Sequence, residues 1–272
     1  MSISNVHLNG AGETLNGGLC TALSLLFAQP GFTWKTFAMT QRGRPPFWFL
    51  WRGYGTNAAG GVPAEGISFW VYDCVRRHLG RDGQELGAGA NVVASSLAGL
   101  VPSPINAGFE RVMTRQQLEG GGFWHHVRAL YRTGGLRNIF VGIEPTAGRD
   151  AVYNLGVFAL NDVANRVTRP WIEDPLAQTA VSGMGAGIVA GALSTPFDLC
   201  RTLVQSSSDE MMRKTAWKIA KEIIKRDGIR GLFRGCLSRC VTVGPLICLT
   251  TIFKKYLPPY FPSWFREPPP TA

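Results

Sequence analysis

Negative charge is what this chain has least of: Asp and Glu number 18 against 28 Lys and Arg, and charged residues make up only 17% of the 272 positions. That is less charge than a soluble domain usually spreads over its surface. Uninterrupted Leu/Ile runs are missing too, and mean hydropathy is only +0.04. There is no P-loop, no hydrolase elbow and no paired-carboxylate site, so no catalytic residue is assigned and an enzyme is not expected. The six cysteines, Cys20, Cys74, Cys200, Cys236, Cys240 and Cys248, form no C-x-x-C pair. Cys236 and Cys240 share a helix face and read as small packing residues, so neither a disulfide framework nor a metal site is expected. The amino terminus, M-S-I-S-N-V-H-L-N-G, has neither an apolar signal core nor an Arg-rich leader; any import is expected to rely on internal information.

What is present is repetition. Trp51-Arg52-Gly53, Phe140-Val141-Gly142 and Phe233-Arg234-Gly235 each open an apolar stretch, about 90 residues apart. Gly135–Gly142 (G-L-R-N-I-F-V-G) and Gly228–Gly235 (G-I-R-G-L-F-R-G) agree almost letter for letter, and Thr195–Gln205 has a weaker echo in Gln29–Met39. That interval suits a two-helix module, and three such modules account for the chain.

Six helices are expected, over 16–41, 55–78, 87–116, 145–167, 176–206 and 237–257, each near the ~20 residues needed to cross hydrocarbon. Their polar content fits helices around a wet cavity, where only the outer face meets lipid. Pro30, Pro104 and Pro196 fall inside the odd-numbered helices and should kink them. The net charge of +10 raises nucleic acid as a partner, but the basic residues cluster where apolar segments end, at Arg42, Arg44 and Arg52, at Arg76, Arg77 and Arg81, at Arg166 and Arg169, and at Lys254 and Lys255. That is a membrane-flank distribution attractive to anionic lipid, with no nucleic-acid motif beside it.

The threefold pattern of P-x-[DE]-x-x-[KR] on an odd helix, followed by aromatic-[KR]-G opening an even one, resembles the mitochondrial carrier family. Repeat three carries it best, through Pro196, Asp198, Arg201 and Gln205 and then Phe233-Arg234-Gly235. The resemblance covers residues 10–258. It implies an all-α membrane fold of six transmembrane helices in three pseudo-symmetric two-helix repeats, with both termini facing the intermembrane space. Residues 1–258 would form one domain, with repeats at 10–80, 84–169 and 174–258, and 259–272 would be a Pro/aromatic tail. It also implies alternating access: ion pairs linked to the motif prolines gate the matrix side, and [FY]-[DE]-x-x-[RK] motifs on the even helices gate the other.

Both gates read as incomplete. Repeat one keeps the base Lys35 but has Phe32 at the acid position. In repeat two, taking Arg111 as the base puts Asn106 at the proline and Gly108 at the acid; anchoring on Pro104 puts Asn106 at the acid and Phe109 at the base. Asp198 is expected to reach Lys35, Arg111 and Arg201 to lose their expected partners, and Glu110 to compensate one arginine. On the opposite side only Asp73, Arg76 and Asp162 remain, with Lys255 as a substitute cation for Asp162 or Asp73.

The motif proline and repeat glycine lie 23 positions apart in repeat one (30 to 53) and 39 in repeat three (196 to 235). Repeat one is therefore shortened, while matrix helices are expected near 120–134 and 209–227. The family's substrate-contact positions, seven residues after each repeat glycine, are Gly60, Arg149 and Thr242. Arg149-Asp150 resembles a pair linked with amino-acid substrates; the other reading is an ion pair that holds no ligand. The segments Trp51-Arg52-Gly53 and Phe233-Arg234-Gly235, at helix starts, are expected to take lipid headgroups, with cardiolipin as the bound lipid and no other cofactor.

The remaining motifs point to packing. Gly183, Gly187 and Gly191 form a small-residue stripe rather than a dinucleotide fingerprint. His125-His126 reads as an exposed pair. The aromatic runs at 45–51 and 256–265 fit either a partner-docking surface or an interfacial belt. Because gate acids, substrate arginines and a matrix helix are lost together, the sequence favours a transport-degenerate carrier fold in the mitochondrial inner membrane. Its role would be a structural or adaptor subunit of a larger assembly such as a respiratory or ATP-synthase complex. The alternative is an active antiporter of a small, amino-acid-like metabolite. Membrane lipids and other inner-membrane subunits are the expected partners, and nucleic acid is not.

Overall fold

The computed structural model describes residues 8–79, 87–206 and 216–265. The expectations for the first ten residues, Arg81, the repeat boundaries near 80–84, the start of the segment at 209 and the terminal prolines lie wholly or partly outside that range.

Ten α-helices carry the described chain: α1 (Gly10–Met39), α2 (Tyr54–Leu79), α3 (Ala88–Leu100), α4 (Ser103–Glu119), α5 (Phe123–Ile139), α6 (Ile143–Leu155), α7 (Asn161–Thr168), α8 (Pro175–Ser206), α9 (Ala216–Asp227) and α10 (Cys236–Tyr256). Asn9 caps α1 by accepting from the Gly12 amide at 2.8 Å, and the Asp174 carboxylate accepts from the Ala177 amide at 2.6 Å at the start of α8. The three repeat glycines share one backbone state, with φ of +77° at Gly53, +88° at Gly142 and +81° at Gly235. Only glycine enters that region without a Cβ clash, which is why the same letter recurs before α2, α6 and α10.

Two expected helices are interrupted. Residues 87–116 form α3 and α4, bent by 49° at the break, because Pro102 and Pro104 remove backbone donors in succession. Residues 145–167 form α6 and α7, joined by a π-helical turn at Gly156–Leu160. The repeat-two matrix helix is α5, whose backbone leaves helical geometry at Gly134 and Gly135, and α9 covers the described part of its repeat-three counterpart. In repeat one a 3-10 turn, Phe47–Phe49, follows Pro45-Pro46 in place of such a helix.

The solvent logic of a soluble domain is inverted. Leu15, Leu19, Leu23, Leu26 and Phe27 of α1 are exposed, whereas Lys35, Arg111, Asp198 and Arg201 are each 0–1% exposed. Apolar outside and ionic inside is the arrangement expected when the outer medium is hydrocarbon. Among the described residues, two helical segments are long and apolar enough to cross a membrane by themselves, Pro175–Ser206 at mean hydropathy 1.4 and Ile229–Tyr256 at 1.6; the bent pair α3–α4 makes a third if counted as one span. The glycine stripe of α8 faces α10 closely: a Cβ on Gly187 would lie 2.7 Å from Gly244 Cα, and one on Gly183 would lie 2.9 Å from Cys248 Cα.

Candidate functional site

A cavity between the helices is lined from α1, α2, α4, α6 and α10. At one end it meets a buried ionic network. Asp198 of α8 is the hub: its Oδ2 lies 2.8 Å from Lys35 Nζ of α1 and 2.6 Å from Arg239 Nη1 of α10. Its Oδ1 lies 2.9 Å from Arg201 Nη2 of its own helix. Glu110 of α4 takes Arg201 Nη1 on Oε2 at 2.9 Å and Arg149 of α6 on Oε1. Arg149 also holds Asp150, which accepts from Asn106 Nδ2 at 3.0 Å, and its Nη1 stands 3.9 Å from Asp198. Gln205 accepts from Arg201 at 3.1 Å.

Five helices are thereby tied by four cations and three carboxylates. Burying those charges is tolerable because each carboxylate receives more than one hydrogen bond from a cation. Arg201, expected to lose its motif partner, is held by Glu110, the acid expected to compensate one arginine, and Glu110 takes Arg149 as well. Arg111 is also engaged, donating to Asn138 Oδ1 at 2.9 Å and to the Val204 carbonyl at 3.4 Å. Arg239 has no place in the motifs that carry the resemblance. It lies one turn before Thr242 on the same face of α10, and that helical spacing is the signal that could have found it.

Of the expected substrate-contact positions, only Arg149 lines the cavity. A Cβ on Gly60 would meet Phe109 at 2.4 Å, so that position is filled by an aromatic ring. Thr242 donates to the Ser238 carbonyl at 2.7 Å and packs against Gly31.

The other end is organised differently from the expectation. Asp73 pairs with Arg77 one turn along at 2.7 Å, Arg76 is exposed, and Asp162 accepts from Asn91 Nδ2 at 3.1 Å. Lys255 reaches neither acid, donating instead to Thr179 Oγ1 at 2.9 Å and to the Pro175 carbonyl at 3.4 Å. Its neighbour Lys254 reaches other helices through aromatic rings. Lys254 Nζ stands 4.6 Å from the Phe158 ring centroid, 5.1 Å from that of Phe69 and 5.5 Å from that of Tyr72, while Tyr72 and Phe158 stack at 4.0 Å. A cation over three buried rings joins α2, α10 and the π-turn by ring-quadrupole attraction.

Among the expected lipid residues, Trp51 and Phe233 are exposed at 48% and 44%. The Arg52 guanidinium stacks 3.3 Å from the Phe49 ring centroid, and Arg234 Nε is buried without a hydrogen-bond partner. His126 is not the exposed residue expected from its polar segment: it is 3% exposed and bonded to the Gly120 carbonyl at 2.5 Å.

An all-helical body with an apolar outside and an ion-lined centre has the architecture of a membrane protein. The chain belongs to the mitochondrial carrier family: residues 84–170 and 173–262 match the family described as "Mitochondrial carrier protein". Proteins of this family are transporters and not enzymes. The chain is 27% identical to the glutamate/glycine mitochondrial carrier ymc1 of Schizosaccharomyces pombe, over 68% of this chain and 66% of that protein. It is 28% identical to the mitochondrial glutathione transporter SLC25A39 of Mus musculus, over 81% and 65%, and 25% identical to the mitochondrial adenyl nucleotide antiporter SLC25A24 of Danio rerio, over 76% and 46%. It thus spans about two thirds or less of the length of these relatives.

Proposed function

We propose that this chain is a multi-pass carrier of the mitochondrial inner membrane that exchanges a small solute by alternating access. Six spans arranged as three two-helix repeats, at 10–80, 84–169 and 174–258, would enclose the cavity. The observation that carries the reading is the network centred on Asp198. Well-packed apolar side chains would hold a purely structural bundle at least as firmly, since desolvating ions offsets most of their attraction. Ion pairs suit a contact that must open, because each partner can be rehydrated as the cavity reaches water. Lys35, Asp198, Arg201, Gln205 and Arg111, with Glu110 and Arg239, would form the matrix-side latch; Lys254 over its aromatic rings would form the opposite one. Asp73, Arg76 and Asp162 would contribute charge near that mouth.

The sequence favoured a transport-degenerate adaptor because gate acids, substrate arginines and a matrix helix are lost together. The Glu110 contacts to Arg201 and Arg149 weigh against the first of those grounds, and the named relatives are carriers. Anionic lipid, cardiolipin included, would bind at Trp51-Arg52-Gly53 and Phe233-Arg234-Gly235, where a backbone at positive φ opens a helix start.

Purified protein in liposomes, preloaded with candidate metabolites, tests the reading. Saturable exchange that Arg149→Ala or Asp198→Ala abolishes is the expected result. Fixed-stoichiometry co-purification with a respiratory or ATP-synthase complex, without exchange of any metabolite, would overturn it.

A further inference from the structure

The cavity contains a carboxylate outside the network. Glu65 is the only charged residue in α2 between Tyr54 and Tyr72, it lines the cavity, and its Oε2 is buried without a hydrogen-bond partner. An acid held in a membrane interior with no partner is costly and marks a place where a partner is expected to arrive. The arginines that share the cavity do not supply one, because Arg149 is engaged by Glu110 and Asp150 and Arg239 by Asp198 and Ser194.

An acceptor shares the helix face of Glu65. Asn57 and Gly61 precede it by two turns and one turn on the same helix face. The Asn57 amide donates through Nδ2 to Gln29 Oε1 at 2.8 Å, which leaves Oδ1 as an acceptor. Gly61 keeps the space between them clear: a Cβ there would stand 3.6 Å from Leu25 Cδ1 and 4.0 Å from Asn57 Oδ1, ordinary contact distances. Resting on the carrier reading above, we infer that Glu65, with Asn57 Oδ1 beside it over Gly61, binds the positively charged amine of the transported solute. The solute is therefore an amine-bearing metabolite, such as an amino acid or a small peptide, and this cavity selects it by its cation rather than by its carboxylate. The carboxylate-binding forks are already occupied by protein acids.

The test is exchange in liposomes with glycine, glutamate, lysine and glutathione as amine-bearing probes, and 2-oxoglutarate and ATP as probes without an aliphatic amine. The expected result is exchange of one or more amine-bearing probes and a rise of about tenfold or more in their half-saturation concentration for Glu65→Gln, the consequence of losing a charge-assisted hydrogen bond. Glu65→Asp should recover part of the loss, and Gly61→Val, which fills the space, should reproduce it with the charge intact. Thermal unfolding in cardiolipin-containing detergent checks that each variant folds; if Glu65→Gln does not, Glu65→Asp and Gly61→Val carry the test. Exchange confined to 2-oxoglutarate or ATP, or amine exchange unchanged in the folded variants, overturns the role of Glu65 and leaves the carrier reading standing. No exchange of any probe or metabolite overturns both.

Discussion

Lys35 Nζ and Asp198 Oδ2 meet at 2.8 Å with side chains 1% and 0% exposed, joining the first helix to the eighth across 163 residues of sequence. Neither ion would be stable there alone. The pair survives burial because Asp198 also accepts from Arg201 and Arg239, so the carboxylate exchanges its lost hydration for a full set of donors.

Asp198→Asn should be the most damaging single change in the network, since it leaves three buried cations without their shared acceptor. A loss of about 3–5 kcal/mol is expected, read as a lower midpoint of thermal unfolding in detergent with cardiolipin. A double-mutant cycle with Lys35→Met should show strong coupling; additive effects would mean that the contact contributes nothing to stability.

Lys254→Met should loosen the opposite end by about 0.5–2 kcal/mol, the range for a cation over aromatic faces. In a background lacking the native cysteines, a cysteine at Thr250, which lines the cavity, should react faster with a water-soluble thiol reagent when Lys254 is replaced. An unchanged rate would show that the aromatic cluster does not limit access.

Two glycines of one helix should respond in opposite ways. Gly187→Val places a side chain against the α10 backbone and should cost about 1–3 kcal/mol by forcing the helices apart. Gly185→Ala meets nothing within 4 Å and should be neutral or slightly stabilising, as helix propensity dictates. Thermal unfolding of the two variants side by side separates close packing from a general dislike of substitution.

Gly142→Ala and Gly235→Ala should each destabilise by about 1–2 kcal/mol, because alanine resists the left-handed backbone of the helix start. At Gly235 the added Cβ also approaches Met39 Cγ at 2.9 Å, so that variant should be the worse of the pair in the same melt. Equal, negligible shifts would show that these glycines are not held at positive φ.

The family was legible because its signals are local. An aromatic-[KR]-G turn and a P-x-[DE]-x-x-[KR] run each sit within a few residues, and their repetition reports a repeated backbone state. Helix boundaries were less legible. Pro102 lies so close to Pro104 that the break falls before the expected kink, and nothing in Gly156-Val157-Phe158 announces a π-turn. The buried ion pairs were less legible for a physical reason: a motif specifies a carboxylate at one position, whereas any helix that reaches the same point can supply it. Glu110 lies two residues beyond the Gly108 acid position, and Arg239 lies outside the motifs altogether. Glu65 carries a readable signal, a lone acid in an otherwise uncharged stretch, at a position outside the motifs.

Composition, the threefold glycine and the proline-linked motif were sufficient by themselves to determine an all-helical membrane-type chain of the carrier family, because propensity, backbone chirality and hydropathy act over neighbouring residues. Only the tertiary structure decided which charges meet. Ion pairing depends on distances of 3 to 4 Å between side chains on different helices, and those distances are set by helix packing: by Gly187 lying against Gly244, by Phe109 filling the space over Gly60, and by the bend between α3 and α4 that precedes Glu110.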